Sequence, residues 1–215
     1  MSYQYILFDL DGTLCDPGPS ITNSLDYALT KMGIDEPDKA SLRRFVGPPL
    51  AQSFKDFYGF DDASAAEVIG IYREHFRVEG IRQYVPYPGM VELLDALKTQ
   101  GKILAVATSK IDEFAQQILA QTGLTNYFVV VVGTHLGNIL GKGATISEAL
   151  EWLGNPPKSK AIMVGDREHD VIGAKENGID SVGVLFGYGS REELEASGAT
   201  YVAEDVGKVA ELLSA

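Results

Sequence analysis

The feature that most constrains the fold is a regular alternation of short apolar runs and amphipathic segments that starts near residue 86. The apolar runs predict strands at residues 103–107, 127–132, 161–164 and 182–184, after a first one at residues 5–8. The periodic segments predict helices at residues 90–100, 113–121, 146–153, 171–177 and 206–212. Strands that alternate with helices of this length predict an α/β fold, a Rossmann-like, doubly wound and mainly parallel sheet with helices on both faces.

Residues 16–85 have a different pattern, because every periodic segment among them is helical. One helix is predicted from Pro19 to Met32, a second opens at Pro49, and a third runs from Asp61 or Asp62 to Gly80. We therefore expect two domains. An α/β core is formed by residues 1–15 and 86–215, and a helical domain of residues 16–85 is inserted after the first strand.

Charge and composition exclude several classes of partner. The 215 residues include 30 acidic and 18 basic side chains, which gives a formal charge of −12. Such a chain is repelled by nucleic acids and by anionic membranes, and no apolar run approaches the roughly 20 residues needed to span a bilayer. The single cysteine, Cys15, and the absence of a signal-like N-terminus predict a cytoplasmic location.

The most informative segment follows the first predicted strand and reads Asp9-Leu10-Asp11-Gly12-Thr13. Residues two apart in an extended strand point to the same side, so the two carboxylates face one space, and Gly12 permits an abrupt turn after them. Two carboxylates this close stay ionised together only if a cation lies between them, or else one keeps its proton. One could then attack as a nucleophile while its neighbour shuttles a proton, although the segment alone also fits a surface turn.

Three further predicted strands end at reactive side chains. Thr108 and Ser109 close the second strand, a loop carrying Lys142 follows the third, and Asp166 follows the fourth, with Asp170 one helical turn later. In open parallel sheets, ligands bind beyond the carboxyl ends of the strands. Four strands that each deliver a reactive group to the same edge favour a catalytic site over a set of unrelated turns.

These motifs resemble those of the haloacid dehalogenase superfamily along the whole chain. Residues 9–13 are similar to its first motif, Thr108 to the second, Lys142 to the third, and Asp166 with Asp170 to the fourth. The helical insertion resembles the small mobile cap of the subfamily that contains phosphoglycolate phosphatases and some bacterial 5′-nucleotidases. The resemblance implies a magnesium-dependent phosphatase that acts on a small phosphorylated metabolite.

The resemblance also implies roles for individual residues. Asp9 would be the nucleophile that forms an aspartyl phosphate, and Asp11 would protonate the leaving group and then activate water. Mg²⁺ would be bound by Asp9, Asp166 and the backbone carbonyl of Asp11, while Asp170 would orient Lys142 or a bound water.

The phosphoryl oxygens would be held by a further set of groups that the same resemblance implies. They are the Thr108 hydroxyl, the Ser109 amide and the Lys142 ammonium, together with Gly12.

The third motif departs from the family pattern, because Lys142-Gly143 stands where many members have Lys-Pro. We prefer Lys142 to Lys158 or Lys160 because it lies just before a predicted helix. Residues 137–142 superficially suggest a nucleotide P-loop. They have three residues instead of four between the glycines, and they lack the Ser or Thr that follows the lysine, so we reject a P-loop.

The inserted domain offers cations that could select the substrate. Arg43, Arg44 and Lys55 lie near a Gly-Pro-Pro-Leu segment at residues 47–50, which is more similar to the nucleotidase branch. A cap that closes over an anionic site should present a cation, but each of these side chains also fits a solvated helix charge. Closure would exclude water during the first step.

The three histidines and the cysteine are expected to have structural and not catalytic roles. We expect His75 to pack at the margin of a core, and His135 and His169 to lie on the surface. Cys15 is expected to be a small packing residue at the hinge between the two domains.

Two other classes of function remain open at this level. A phosphomutase would share Asp9, Asp11 and magnesium but shield its intermediate from water, and a phosphorylated receiver or binding module would accept a phosphoryl group without turnover. The sequence names neither the physiological substrate nor the oligomeric state.

Overall fold

The structure is a computed structural model that describes residues 3–46, 49–135 and 141–214. The chain divides into two compact units, one formed by Met1–Asp16 with Pro86–Ala215 and the other by Pro17–Val85. Within the described ranges, no helix has the length and apolar character needed to cross a membrane.

The described residues contain strands in both the N-terminal and the C-terminal parts of the chain. In chain order they are β1 (Tyr5–Phe8), β2 (Cys15–Asp16), β3 (Val85–Pro86), β4 (Ile103–Ile111), β5 (Val130–Thr134), β6 (Ala161–Gly165), β7 (Asp180–Val184) and β8 (Tyr201–Ala203). Six of them form one sheet in the order β5-β4-β1-β6-β7-β8. Every neighbouring pair in this sheet is parallel, which confirms the predicted fold class.

Six helices cover the sheet of the first unit in the described part of the chain. They are α4 (Met90–Thr99), α5 (Asp112–Gln121), α6 (Lys142–Trp152), α7 (Glu168–Glu176), α8 (Arg191–Ser197) and α9 (Val206–Ser214). One hydrophobic cluster joins Leu7 of β1 and Met163 of β6 to Ile146 of α6 and Ala174 of α7. Ile6 and Phe8 are also fully buried and point to the other face of the sheet, so β1 is covered on both sides.

Apart from Val85 of β3, the regular secondary structure of the second unit is helical in its described residues. Its helices are α1 (Gly18–Lys31), α2 (Leu50–Tyr58) and α3 (Asp62–His75), with a 3₁₀ segment at Lys39–Phe45, a π-helical turn at Phe76–Gly80 and a 3₁₀ turn at Ile81–Gln83. Its core includes Phe45 and Phe54, whose ring centroids lie 4.9 Å apart, and the exposed Phe57 packs on Phe45 with the ring centroids 5.2 Å apart. His75 is half-buried, hydrogen-bonds the Ser24 hydroxyl at 3.0 Å and stacks on Tyr27.

Several element boundaries differ from the sequence predictions. The second strand of the core continues four residues past 107 to Ile111, and the third lies at Val130–Thr134 because residues 125–127 form a 3₁₀ turn. The α-helix predicted up to Gly80 ends at His75. Helix α8 and strand β8 had no counterpart in the prediction.

Candidate active site

The candidate site lies at the carboxyl edge of the sheet, where four adjacent strands end. Strands β4, β1, β6 and β7 are neighbours and run parallel, so the residues that follow them emerge together. Asp9 directly follows β1, and Asp166 directly follows β6. In the register of the sheet, Phe8 pairs with Val106 on one side and with Val164 on the other, which brings Thr108 and Asp166 to the flanks of Asp9.

Three carboxylates form a buried cluster at this edge. One carboxylate oxygen each of Asp9, Asp166 and Asp170 lies within 4.8 Å of the others. The residues are 8%, 1% and 1% exposed, so water solvates these charges poorly. Asp170 reaches the cluster from the first turn of α7, where it also accepts a hydrogen bond at 3.1 Å from the amide of Arg167.

Lys142, the first residue of α6, neutralises part of this charge. Its Nζ lies 2.8 Å from Asp9 Oδ1 and 2.8 Å from Asp170 Oδ1, and it donates to the Ala107 carbonyl at 3.3 Å. Burial by itself lowers the pKa of Lys142, but the carboxylates of Asp170 and Asp9 outweigh this effect and raise it. The lysine is therefore a permanent cation that holds both carboxylates.

The electrostatic balance of the cluster fits a divalent cation. Three carboxylates against one ammonium leave a formal charge of −2 when all four groups are ionised. Burial raises the pKa of Asp166 well above its ordinary value, and the charges of Asp170 and Asp9 raise it further. Asp166 Oδ1 is buried without a hydrogen-bond partner among the described residues. A carboxylate in this setting needs either a proton or a cation, and carboxylate oxygens are ligands that Mg²⁺ prefers.

Glycines bring the backbone close to Asp166. Gly12 has a φ of +78°, and a Cβ at this position would overlap the Asp166 carboxylate. Gly187 and Gly189, in the loop after β7, are packed equally close to Asp166, and the amide of Tyr188 between them donates to Asp166 Oδ2 at 2.8 Å. Side chains larger than hydrogen are therefore excluded on two sides of this carboxylate.

The remaining predicted site residues lie beside the cluster. Thr108 is buried, and its hydroxyl accepts a hydrogen bond from the Lys110 amide at 3.3 Å, whereas Ser109 is exposed. The Asp11 carboxylate stands outside the three-carboxylate cluster in the described structure. Its Oδ2 pairs instead with Lys110 Nζ at 2.7 Å.

Two of the three cations predicted for the inserted domain, Arg44 and Lys55, contact groups of their own unit. The Arg44 guanidinium lies 4.2 Å from the centroid of the Phe57 ring, Lys55 pairs with Asp62 at 2.5 Å, and Arg43 is exposed. Of the Gly-Pro-Pro-Leu segment, residues 47–48 lie outside the described residues, as do residues 136–140 of the segment that superficially suggested a P-loop.

The histidines and the cysteine take no part in the cluster. His135 and His169 are exposed, and His75 belongs to the second unit. Cys15 is fully buried. Burial, and to a smaller extent the negative charge of Asp11, raises the pKa of its thiol to about 12. A thiol in this state is inert as a nucleophile at neutral pH.

Comparison with known proteins identifies the family of the chain. The family of haloacid dehalogenase-like hydrolases matches residues 6–184, and the chain belongs to this family. This confirms the predicted resemblance and the prediction of a phosphatase-type hydrolase.

Individual relatives carry different names. A 5′-nucleotidase from Pseudomonas aeruginosa is 42% identical over 214 residues, which cover 99% of this chain and 96% of the relative. A tyrosine-protein kinase from Mycobacterium tuberculosis is 37% identical and covers 94% of this chain and 68% of its own length. A phosphoglycolate phosphatase from Vibrio parahaemolyticus is 30% identical, with 97% of this chain and 95% of the relative covered.

A solved structure shows the same fold over the whole length. The crystal structure of a predicted phosphatase from Clostridium acetobutylicum has a TM-score of 0.90 and 44% identity. The match covers 100% of this chain and 99% of that one. The fold and the family are thus shared, whereas the names of the relatives differ in substrate and, for the tyrosine-protein kinase, also in reaction.

Sequence reasoning missed two contributors to the site. The amide of Tyr188 and the glycines on either side of it were not predicted to contact Asp166, although a Gly-x-Gly sequence beyond a parallel strand indicates a close backbone approach. No role was predicted for Lys110. Its ion pair with Asp11 depends on the local shape of β4, which apolar periodicity does not reveal.

Proposed function

We propose that this protein is a magnesium-dependent phosphatase that hydrolyses a small-molecule phosphate monoester through an aspartyl phosphate on Asp9. The observation that carries the proposal is the buried group of Asp9, Asp166 and Asp170 around Lys142, with a formal charge of −2. We further propose that residues 16–85 act as a cap of the kind found in phosphoglycolate phosphatases or 5′-nucleotidases.

Asp9 is suited to attack phosphorus because its carboxylate is held in one place. Lys142 fixes Oδ1 at 2.8 Å. In the first step, a bond forms between a carboxylate oxygen of Asp9 and phosphorus, and the bond from phosphorus to the leaving oxygen breaks. Asp11 gives its proton to that oxygen, so that the alcohol leaves in neutral form.

In the second step the aspartyl phosphate is hydrolysed. The Asp11 carboxylate takes a proton from water as the water oxygen attacks phosphorus, which restores the Asp9 carboxylate and releases inorganic phosphate. Lys142, the Thr108 hydroxyl and the Ser109 amide would hold phosphoryl oxygens, whose charge is spread in the transition state. Gly12 lets the backbone approach them.

A divalent cation would be held by Asp9 and Asp166, with the backbone carbonyl of Asp11, while Asp170 would keep Lys142 in place through its 2.8 Å ion pair. When bound, the cation supplies neutralising charge and orientation for the phosphoryl oxygens. Two observations support this assignment: Asp166 Oδ1 has no hydrogen-bond partner in the described part of the chain, and carboxylates are in excess at the site.

The proposal is tested by phosphate release in the presence of Mg²⁺ from nucleoside 5′-monophosphates, phosphoglycolate and sugar phosphates. We expect Asp9→Asn to lower kcat by at least about 10³-fold, because the nucleophile is lost. Asp95→Asn changes an exposed carboxylate of α4 in the same unit and serves as the matched control. Near-normal turnover by Asp9→Asn would overturn the proposal.

The same assay separates the alternatives. A phosphomutase would convert the substrate into an isomer with little free phosphate, and a receiver would retain one phosphoryl group per protein without turnover. Hydroxylamine cleaves an acyl phosphate but leaves a tyrosine phosphate intact. A hydroxylamine-labile label that Asp9→Asn lacks therefore supports Asp9 and excludes transfer to a tyrosine.

A further inference from the structure

An ion pair beside the proposed nucleophile involves a residue that has no assigned role. Lys110 Nζ lies 2.7 Å from Asp11 Oδ2, and the two side chains are 10% and 26% exposed. Asp9, two residues earlier, has an ion pair of its own with Lys142. The two carboxylates of the first motif are thus held by different lysines, one from strand β4 and one from the first residue of helix α6.

Lys110 reaches Asp11 because β4 is irregular at this point. The pairing of β4 with β5 is regular up to Ala107 and shifts in register before Ile111, so residues 108–110 form a bulge. Inside the bulge, the Lys110 amide donates to the Thr108 hydroxyl at 3.3 Å. Bulges re-aim side chains, and this one turns the lysine towards the first motif.

The neighbouring strand braces the bulge. The Thr134 hydroxyl donates to the Ser109 carbonyl at 3.1 Å. A Cβ at Gly133 would lie 2.6 Å from the Lys110 carbonyl oxygen and 2.7 Å from the Asp112 amide nitrogen, so the backbones are in close contact. Strand β5 therefore holds the backbone around Lys110 at two points.

The backbone of Asp11 is equally well fixed, which leaves its side chain as the variable part. The Gly12 amide donates to the Cys15 carbonyl at 2.9 Å, and the amides of Leu14 and Cys15 donate to the Leu10 carbonyl at 3.1 Å. An aspartate still has two rotatable bonds, and proton transfer requires heavy atoms within about 2.6–3.2 Å of each other. An ion pair at the carboxylate restricts that rotation.

We propose that Lys110 is a positioning residue that holds the Asp11 carboxylate in reach of the leaving oxygen and, later, of the attacking water. The proposal rests on the proposed function. When the bond from phosphorus to the leaving oxygen breaks, that oxygen takes the proton of Asp11, and the carboxylate left behind is paired with Lys110. Lys110 keeps all its protons in both steps and forms no bond to the substrate.

The dependence on leaving group tests this role. An alkoxide needs a proton to leave, whereas p-nitrophenolate leaves without one. We expect Lys110→Met to lower the ratio of the rate on an alkyl phosphate to the rate on p-nitrophenyl phosphate by about 10–100-fold, because a misplacement of the proton donor by about 1 Å costs roughly 10² in rate. Lys110→Arg keeps the charge and should recover part of the ratio.

The ratio is independent of how much of each variant is folded, so a loss of stability does not obscure the result. Lys208→Met is the matched control, because Lys208 forms an ion pair of similar length, 2.8 Å, on the exposed side of α9. It should leave the ratio unchanged. An equal loss on both substrates in Lys110→Met would overturn the inference, since it would assign Lys110 to phosphate binding or to folding.

Failure of this inference is distinct from failure of the proposed function. If wild-type protein releases phosphate from both substrates and Lys110→Met keeps the wild-type ratio, only the role of Lys110 is wrong. If wild-type protein releases no phosphate from any ester in the panel, the proposed function itself is wrong.

Discussion

At the residue scale, the site depends on how closely the backbone approaches a single carboxylate. Asp166 accepts from the Tyr188 amide, and its surroundings leave room only for glycine at residues 12, 187 and 189. This close approach brings the backbone at Gly12 against the Asp166 carboxylate, although the two residues are far apart in the sequence. A binding site for a cation needs such convergence of oxygens.

Gly12→Ala should disrupt this convergence. The φ of +78° is strained for alanine, and the added methyl group would overlap the Asp166 carboxylate. We expect a loss of roughly 2–4 kcal/mol in the free energy of unfolding and a fall in kcat of at least about 10²-fold. Urea unfolding and phosphate release measure the two effects.

Gly101→Ala is the control that separates the effect of backbone strain from the effect of steric overlap with Asp166. Gly101 has nearly the same φ, +76°, but a Cβ there would meet no atom within 4 Å. It should cost about 1–2 kcal/mol through backbone strain alone and retain activity. Equal activity in the two variants would show that the approach to Asp166 is not required.

At the scale of secondary structure elements, α8 supports the beginning of α7, the helix that carries Asp170. Glu193 Oε1 accepts from Arg167 Nε at 2.8 Å and from the Glu168 amide at 2.9 Å. Partial burial raises the pKa of Glu193, but the hydrogen bonds from the Glu168 amide and the Arg167 guanidinium outweigh it and lower that pKa. The ionised carboxylate therefore stabilises the folded state.

Glu193→Ala should lower the free energy of unfolding by about 1–2 kcal/mol at neutral pH, because charged hydrogen bonds are lost at a half-buried position. A lowered pKa in the folded state means that this stabilisation is present above the unfolded pKa of about 4.3 and is lost as the pH falls through the folded value. The difference between wild type and variant should therefore shrink in strongly acidic buffer. Denaturant unfolding at both pH values measures it.

Glu195→Ala on the same helix is the control. Glu195 pairs with Arg191 across one turn, and both side chains are about half exposed. Such surface pairs contribute about 0–1 kcal/mol, so this variant should differ little from wild type at either pH. A pH-independent effect of Glu193→Ala would contradict the role of its charge.

The sequence predicts those strands and helices whose pattern of apolar residues reflects their burial. Strands β1 and β6 are buried on both faces and therefore read as apolar runs, which place Asp9 and Asp166 at their ends. Strand β8, with three residues, and helix α8, with seven, are too short for a periodic pattern. The Lys110–Asp11 pair was also beyond prediction, because it results from a bulge in β4 that side-chain periodicity does not encode.

At the scale of the whole molecule, charge poses a problem for an enzyme that binds phosphate esters. The chain has 30 acidic and 18 basic residues, and its formal charge of −12 repels an anionic substrate. Three of these acids are buried together at the candidate site, with Lys142 as their partner. A bound divalent cation would remove the local excess of −2 and allow an anion to approach.

Mg²⁺ should therefore stabilise the folded protein. At a concentration about 100 times the Kd, binding contributes about 2.7 kcal/mol, which for a chain of this length corresponds to a rise in Tm of roughly 5–10 °C. KCl at the same ionic strength should not produce this rise, because screening acts on surface charges and not on a buried cluster. Asp166→Asn, which lacks the unpartnered carboxylate oxygen, should lose most of the shift.

The rise in Tm caused by Mg²⁺ should increase with pH. Burial and the adjacent carboxylates raise the pKa of Asp166 in the metal-free folded state, so at low pH the cation must displace a proton. Without the cation, the stability conferred by the proton on Asp166 is lost as the pH rises through the raised pKa. A bound cation would take the place of that proton and restore the stability. Thermal unfolding with and without Mg²⁺ across a pH series measures the difference, and a shift that stayed constant with pH would show that the cation binds elsewhere.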